Sequence, residues 1–188
     1  SKNIILNKKI NLGLDLQGGS YLLLEVDSTP LQNRQIQSKV IPLKKKLIEN
    51  KITYKNFKIK NNQISFNISQ NDKEKFDNFF TDKNNDINTF LDKYRSFELE
   101  YNLVNNQIII GLSKNGIINL NTSAVDQSIE IVRKRIDETG TKEPSIIKRG
   151  SNRILVELPG VKDPERIKEL LGKTAQLSFR LVTDNKTE

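Results

Sequence analysis

Residues 125–160, VDQSIEIVRKRIDETGTKEPSIIKRGSNRILVELPG, carry two hydrophobic periods in succession. Val125, Ile129, Val132 and Ile136 recur at the spacing of one face of an α-helix, with Arg133, Lys134 and Arg135 largely outside that stripe. Gly140 follows as the residue that stops such a helix. From Pro144 the period falls to two. Residues 144–149 and 153–159 read as strands joined by Gly150-Ser151-Asn152, with Ile154, Val156 and Leu158 sharing a face. A helix followed by a hairpin is the middle of an α+β unit, and its flanks decide which one.

On the C-terminal side, Asp163 caps a short helix with Pro164 in the first helical position, Ile167, Leu170 and Leu171 facing in and Gly172 closing it. A strand over 175–183 follows. On the N-terminal side, residues 21–27 alternate, with Leu22, Leu24 and Val26 on one face and Tyr21, Leu23 and Glu25 on the other. The Asn/Thr/Ser cluster at 119–123 offers several N-caps to the long helix. Taken together, residues 1–28 and 117–188 give strand, helix, strand, strand, helix, strand, the βαββαβ order of a ferredoxin-like sandwich.

The intervening residues 29–116 have a length suited to a small domain of their own. Ile36, Val40, Leu43 and Leu47 mark an amphipathic helix that Pro42 is expected to kink or break. Two hairpins follow, each turning on an Asn-Asn pair that tolerates positive φ: residues 53–60 and 63–69 around Asn61-Asn62, and 97–104 and 107–112 around Asn105-Asn106. Between them a helix capped by Asp72 carries Phe76, Phe79 and Phe80 inward, and a short turn holds Ile87, Phe90 and Leu91. The expectation is an αββαββ subdomain inserted into the ferredoxin-like base, an α+β protein throughout, with helices on one face of each antiparallel sheet.

Composition narrows the chemistry. The chain has 188 residues and neither Cys nor His, so the usual zinc ligand sets, thiol nucleophiles and Ser-His-Asp triads cannot be assembled. Its longest apolar stretches, Ile108-Ile109-Ile110 and Tyr21-Leu22-Leu23-Leu24, fall far short of the ~20 residues that cross a bilayer core. The opening Ser1-Lys2-Asn3 reads as the start of a piece cut from something longer. The net charge of +8 follows from a Lys-, Asn- and Ile-rich bias, and the Lys44-Lys45-Lys46 run reads as the solvated face of a helix. No metal or cofactor is called for.

The sharpest string is Gly13-Leu14-Asp15-Leu16-Gln17-Gly18-Gly19, which leads directly into a strand. Gly18 and Gly19 permit positive φ or close backbone approach, and the Asp15 carboxylate can accept backbone N–H groups to fix a turn. A phosphate-binding loop does not fit, because no Lys-Ser/Thr follows and the glycines precede a strand instead of opening a helix.

GLDLQGG followed by YLLLEVD resembles the start of the first periplasmic domain of the SecD family, membrane subunits of the bacterial protein-export machinery. The later block VRKRIDETGTKEPSIIKRGSNRILVELPGVKDPERIKELLGKTAQLSFRLV is similar to that family from its long helix through the final base strand. The middle resembles an insertion that some members carry. The resemblance implies an inner-membrane protein acting with SecF beside the SecYEG channel and using the proton-motive force to draw unfolded exported polypeptides outward. This stretch then lies on the periplasmic side, with the membrane reached through transmembrane segments outside it. It also implies a mobile head following the strand at 177–182, and no catalytic residue. On this reading Gly13 to Gly19 serve as a turn or hinge.

Two other classes compete. A nucleic-acid-binding pair of ferredoxin-like domains would suit a basic chain, but the aromatic-rich strand pattern of RNA-recognition modules is missing, so no nucleic-acid partner is expected. A carboxylate enzyme using a pair such as Asp137-Glu138 lacks support, since adjacent helical acids point apart into solvent. The expectation is that the chain is no enzyme.

Overall fold

The computed structural model describes residues 19–161, apart from 139, 141 and 142, together with residues 165, 169, 171 and 179–181. In chain order its elements are β1 (Gly19–Val26), α1 (Thr29–Glu49), β2 (Tyr54–Lys60), β3 (Gln63–Ile68), α2 (Lys73–Phe80), β4 (Phe90–Leu91), β5 (Ser96–Phe97), β6 (Leu99–Val104), β7 (Gln107–Leu112), α3 (Lys114–Glu138), β8 (Ser145–Arg149), β9 (Arg153–Pro159) and β10 (Phe179–Leu181). The protein is α+β, as its alternating periods imply. It divides into two compact units, Ser1–Asp27 with Val125–Glu188, and Ser28–Ala124.

The first unit holds an antiparallel sheet in the order β10-β1-β9-β8. Between its second and third strands in the chain lies only the Gly150-Ser151-Asn152 loop, with Gly150 at φ 67°. Leu22, Leu24, Val26, Ile154, Val156 and Leu158 are buried on one face, and Val125, Val132 and Ile136 of α3 are buried in the same unit. Lys148 of β8 reaches Asp126 of α3 at 3.1 Å on that side. Ile129, expected in the buried stripe, is half-buried, while Ser128 is fully buried. Glu165, Glu169 and Leu171 are helical where a second helix was expected. Its proposed cap Asp163, Pro164, Ile167, Leu170 and Gly172 lie outside the described residues.

The second unit is built on two hairpins whose inner strands pair, giving the sheet order β2-β3-β7-β6. Asn61, Asn62, Asn105 and Asn106 all take positive φ, which supplies the turn twist that two-residue hairpins need. Phe66, Phe76, Phe79, Phe80, Ile36, Leu43, Leu47, Ile64, Ile108 and Ile110 form one core. Phe76 makes edge contacts with Phe66 and Tyr101 and stacks on Phe80, with centroids 5.0 to 5.9 Å apart. A small hairpin, β4 with β5, sets Phe90 opposite Phe97 where a turn had been expected.

Three local expectations change. Helix α1 runs unbroken through Pro42, because Pro42 and Ser38 lie on the exposed side, where the carbonyl deprived of its donor meets water. Asp72 makes no side-chain cap bond and instead pairs with Lys75 at 2.8 Å. Helix α3 begins at Lys114, before the Asn119–Ser123 cluster, because Ser113 Oγ accepts the Gly116 N–H at 2.9 Å while donating to the Phe97 carbonyl at 2.7 Å.

Glu98 gathers these elements. Its N–H donates to Thr89 O, its carbonyl accepts from Ser113 N at 2.9 Å, and its carboxylate takes Gln35 Nε2 and, at 2.7 Å, Lys39 Nζ. Lys39 is 8% exposed, so its charge is held by this pair. The carbonyl also lies where a side chain at Gly116 would begin: a Cβ there would sit 2.1 Å from Glu98 O.

Gly116→Ala is therefore expected to cost at least about 2 kcal/mol in urea denaturation, the scale of overpacking against backbone. Gly111→Ala is the control, because its nearest neighbour is the flexible Gln63 side chain at 3.6 Å, and it should stay within about 0.5 kcal/mol of the parent. Tyr101 gives a pH signature. Burial, the hydrogen bond to Asp77 at 2.7 Å and that carboxylate's charge raise its phenol from 10.0 to about 12. The folded state thus favours the neutral phenol. The resulting stabilisation is complete below pH 10.0 and lost as pH rises through about 12. Ultraviolet titration should show a late step that is absent in Tyr101→Phe and shifted earlier in Asp77→Ala.

Candidate functional site

Among the described residues no cluster of three or more acidic, His or Cys side chains could hold a metal. The concavity bounded by Glu130, Arg133, Lys134, Asp137 and Glu138 is the open charged side of a single helix, with Arg133 paired to Glu130 at 3.0 Å. Asp137 and Glu138 are exposed there, and no described residue closes a cleft over them for acid-base work. Lys44, Lys45 and Lys46 are spent locally: Lys44 lies 4.5 Å over the Phe57 ring, and Lys45 and Lys46 flank Glu49 at 3.9 and 3.4 Å.

The glycine-rich string meets the described structure at its last residue. Gly13, Leu14, Asp15, Leu16, Gln17 and Gly18 lie outside the described residues, and Gly19 opens β1 in register with Pro159 of β9. Next to it, the Ser20 hydroxyl donates to the Val161 carbonyl at 2.8 Å. Gly160, at φ 75°, turns the chain so that this carbonyl comes back toward β1. The register makes Gly19 and Pro159 the two sides of one sheet end. A glycine thus stands opposite the proline that cannot donate to a ladder.

Along β1, β9 and β8 the register sets three rows on the face opposite the buried one. Tyr21 stands beside Glu157 and Ser145, Leu23 beside Leu155 and Ile147, and Glu25 beside Arg153 and Arg149. Tyr21 is 70% and Ile147 48% exposed. Asn152 Nδ2 donates to Glu25 Oε1 at 2.8 Å and Asn152 O accepts from Val26 N at 2.7 Å, which anchors the charged end of the face to the hairpin loop. The apolar row of Leu23, Leu155 and Ile147 thus lies between a row holding Glu157 and a row holding Glu25, Arg153 and Arg149.

Two family models match, and together they span most of the first unit. The one described as "Protein translocase subunit SecDF, P1 domain, N-terminal" spans residues 125–184, and the one described as "SecD/SecF GG Motif" spans residues 4–30. Whole relatives align through the second unit as well. The chain is 40% identical over 177 residues to the protein translocase subunit SecD of Rickettsia bellii, an alignment covering 94% of this chain and 32% of that protein. It is 40% identical over 182 residues to the SecD of Acetobacter pasteurianus, covering 95% of this chain and 33% of the relative. With the SecD of Rickettsia conorii the identity is 38% over 176 residues, 94% of this chain and 32% of that one. The chain thus spans about a third of the length of the curated relatives it matches. No solved structure matches it.

Ser20→Ala removes the bond that ties β1 to Val161 without touching the ladder. It should lower unfolding free energy by about 1 kcal/mol, the net worth of one part-buried hydrogen bond, with the β-sheet circular dichroism unchanged.

Proposed function

The chain belongs to the SecD family, and on that premise we propose that it is a periplasmic part of a Sec protein-export subunit. Its role is to assist translocation of preproteins driven by the proton-motive force across the bacterial inner membrane. The partners are SecF, the SecYEG channel and unfolded exported polypeptides, and the membrane is reached through transmembrane segments outside this stretch. No helix among the described residues is long and apolar enough to cross a membrane, which suits a part that works beside the bilayer. The role is mechanical and not enzymatic.

In this reading residues 1–28 and 117–188 form a ferredoxin-like base, residues 29–116 an inserted subdomain, and the base supports a mobile head. The observation that carries it is the coincidence of motif and register. The glycine-motif model of SecD and SecF matches residues 4–30, and within that stretch Gly19 stands at the rung that closes β1 against β9. Gly13, Leu14, Asp15, Leu16, Gln17, Gly18 and Gly19 then act as a turn or hinge entering the central strand of the base. Asp15 has no part in carrying protons, since ionisable groups that do so belong in membrane segments.

The test is to restore this segment to its full-length parent with Gly18 and Gly19 both changed to Val, and to follow export of a secreted reporter together with membrane abundance of the mutant. Export should fall at least about tenfold while abundance holds, because two β-branched residues resist the turn conformation. Full export at normal abundance would contradict the hinge. Collapse of abundance would make the glycines a folding requirement.

A further inference from the structure

The second unit's sheet ends in two edges of opposite character. On β2 the outer edge carries exposed Lys55, Lys58 and Lys60, and its pairing with β3 shifts between Lys55 and Lys58, with Asn56 at φ 55°. Lysines and a bulge are the means by which natural sheets keep other strands off. On β6 there is neither. Its register with β7 is unbroken from Leu99 to Val104, and it holds no Lys and no Pro.

The hairpin fixes which backbone groups of β6 point outward. Val104 and Gln107 close a two-residue turn, so Val104, Asn102 and Glu100 exchange their hydrogen bonds with β7. Leu99, Tyr101 and Leu103 turn theirs away from it. At Leu99 the outward groups are taken by one side chain: Asn88 Oδ1 accepts from Leu99 N at 2.8 Å, and Asn88 Nδ2 donates to Leu99 O at 3.2 Å. Just before it, Glu98 N bonds Thr89 O at 2.8 Å. The segment Asn88–Thr89 thus imitates a fifth strand for the first rungs and stops. Tyr101 and Leu103 present N–H and C=O groups that meet no partner among the described residues. Beside them stand Glu100, exposed and with no ion pair among the described residues, and Asp77, whose neighbour is the Tyr101 hydroxyl.

We propose that the β6 edge, at Tyr101 and Leu103, accepts an extended segment of unfolded polypeptide carrying basic side chains. This deepens the export reading above and rests on it for the identity of the occupant. Main-chain bonds accept any sequence, which a subunit meeting many exported chains requires. Asp77 and Glu100 favour segments with Lys or Arg, while the Lys-bearing β2 edge repels the same segments. Two receptive residues give a short docking site, so binding is weak and fast to release, as a moving chain needs.

The experiment is fluorescence anisotropy of a labelled eight-residue peptide of alternating Thr and Val with two Lys, titrated with this 188-residue chain. Leu103→Pro removes an outward N–H and leaves the β7 ladder intact, so it should weaken binding at least about tenfold with the circular dichroism unchanged. N-methylation of the peptide on one alternation should abolish binding, and on the other leave it in place. Replacing the two Lys with Glu should weaken it. If Leu103→Pro fails to fold, the N-methylated pair decides alone. Equal binding by the Pro variant and by both N-methylated peptides would overturn the proposal by placing the contact elsewhere, leaving the export reading standing. Absence of binding at millimolar peptide would also overturn it. So would a dimer in sedimentation that dissolves in Leu103→Pro and that peptide does not disturb, because the occupant would then be a second copy. Failure of the export reading itself is scored separately, in the full-length parent by reporter export.

Discussion

The backbone and carboxylate of Glu98 fix the geometry of the second unit. One residue receives a helix cap, a buried lysine, a glutamine and a neighbouring loop, and each of those contacts constrains a different element. The Ser113 N–H on its carbonyl starts α3, the Lys39 ammonium holds α1, and Thr89 holds the segment before β4. Since Lys39 and Glu98 are both nearly buried, neither charge can be left without the other. Gly116 is then forced, because the carbonyl that serves Ser113 occupies the space of a Cβ. The Asn105-Asn106 hairpin at the other end of β6 sets which of its residues face β7.

That parity connects fold to function. A one-residue slip in β6 would exchange the inward and outward sets and turn Tyr101 from the aromatic core to solvent. With the register held, Leu99, Tyr101 and Leu103 direct their backbone groups outward while their side chains pack inward. Asn88 covers the first of the three, and β2 at the other side of the sheet is guarded by lysines and a bulge. The first unit shows a different surface, a broad face with an apolar row between charged rows, reached from a strand that the glycine motif introduces.

Much of this was legible in the sequence wherever one residue type had one physical use. The Asn-Asn turns were readable because adjacent residues at positive φ nearly demand Asn or Gly, and Gly140 and Gly150 for the same reason. The helical stripe of α3 and the alternation of β1 and β9 were readable from period. The start of α3 was not: the polar cluster at 119–123 offered better caps than a single Ser113, and only the tertiary position of Phe97 O and Glu98 O makes Ser113 the one used. Lys39 also escaped notice, since a lysine three residues after Ile36 looks like a solvated neighbour of the stripe until Glu98 is seen opposite. Pro42 misled in the other direction, its cost being removed by water. The glycine motif was legible as a family mark, while its partner at Pro159-Gly160 needed the register.

Amide hydrogen exchange on the isolated chain, resolved residue by residue along β6, tests the central claim most directly, because edge and register are both read from the same amides. Tyr101 and Leu103 should exchange close to the rate of unstructured peptide. Glu100 and Asn102 should be protected by β7, and Leu99 should be protected by Asn88. Uniform protection across β6, or protection of Tyr101 and Leu103 with Glu100 and Asn102 free, would contradict both the register that the hairpin fixes and the open edge derived from it.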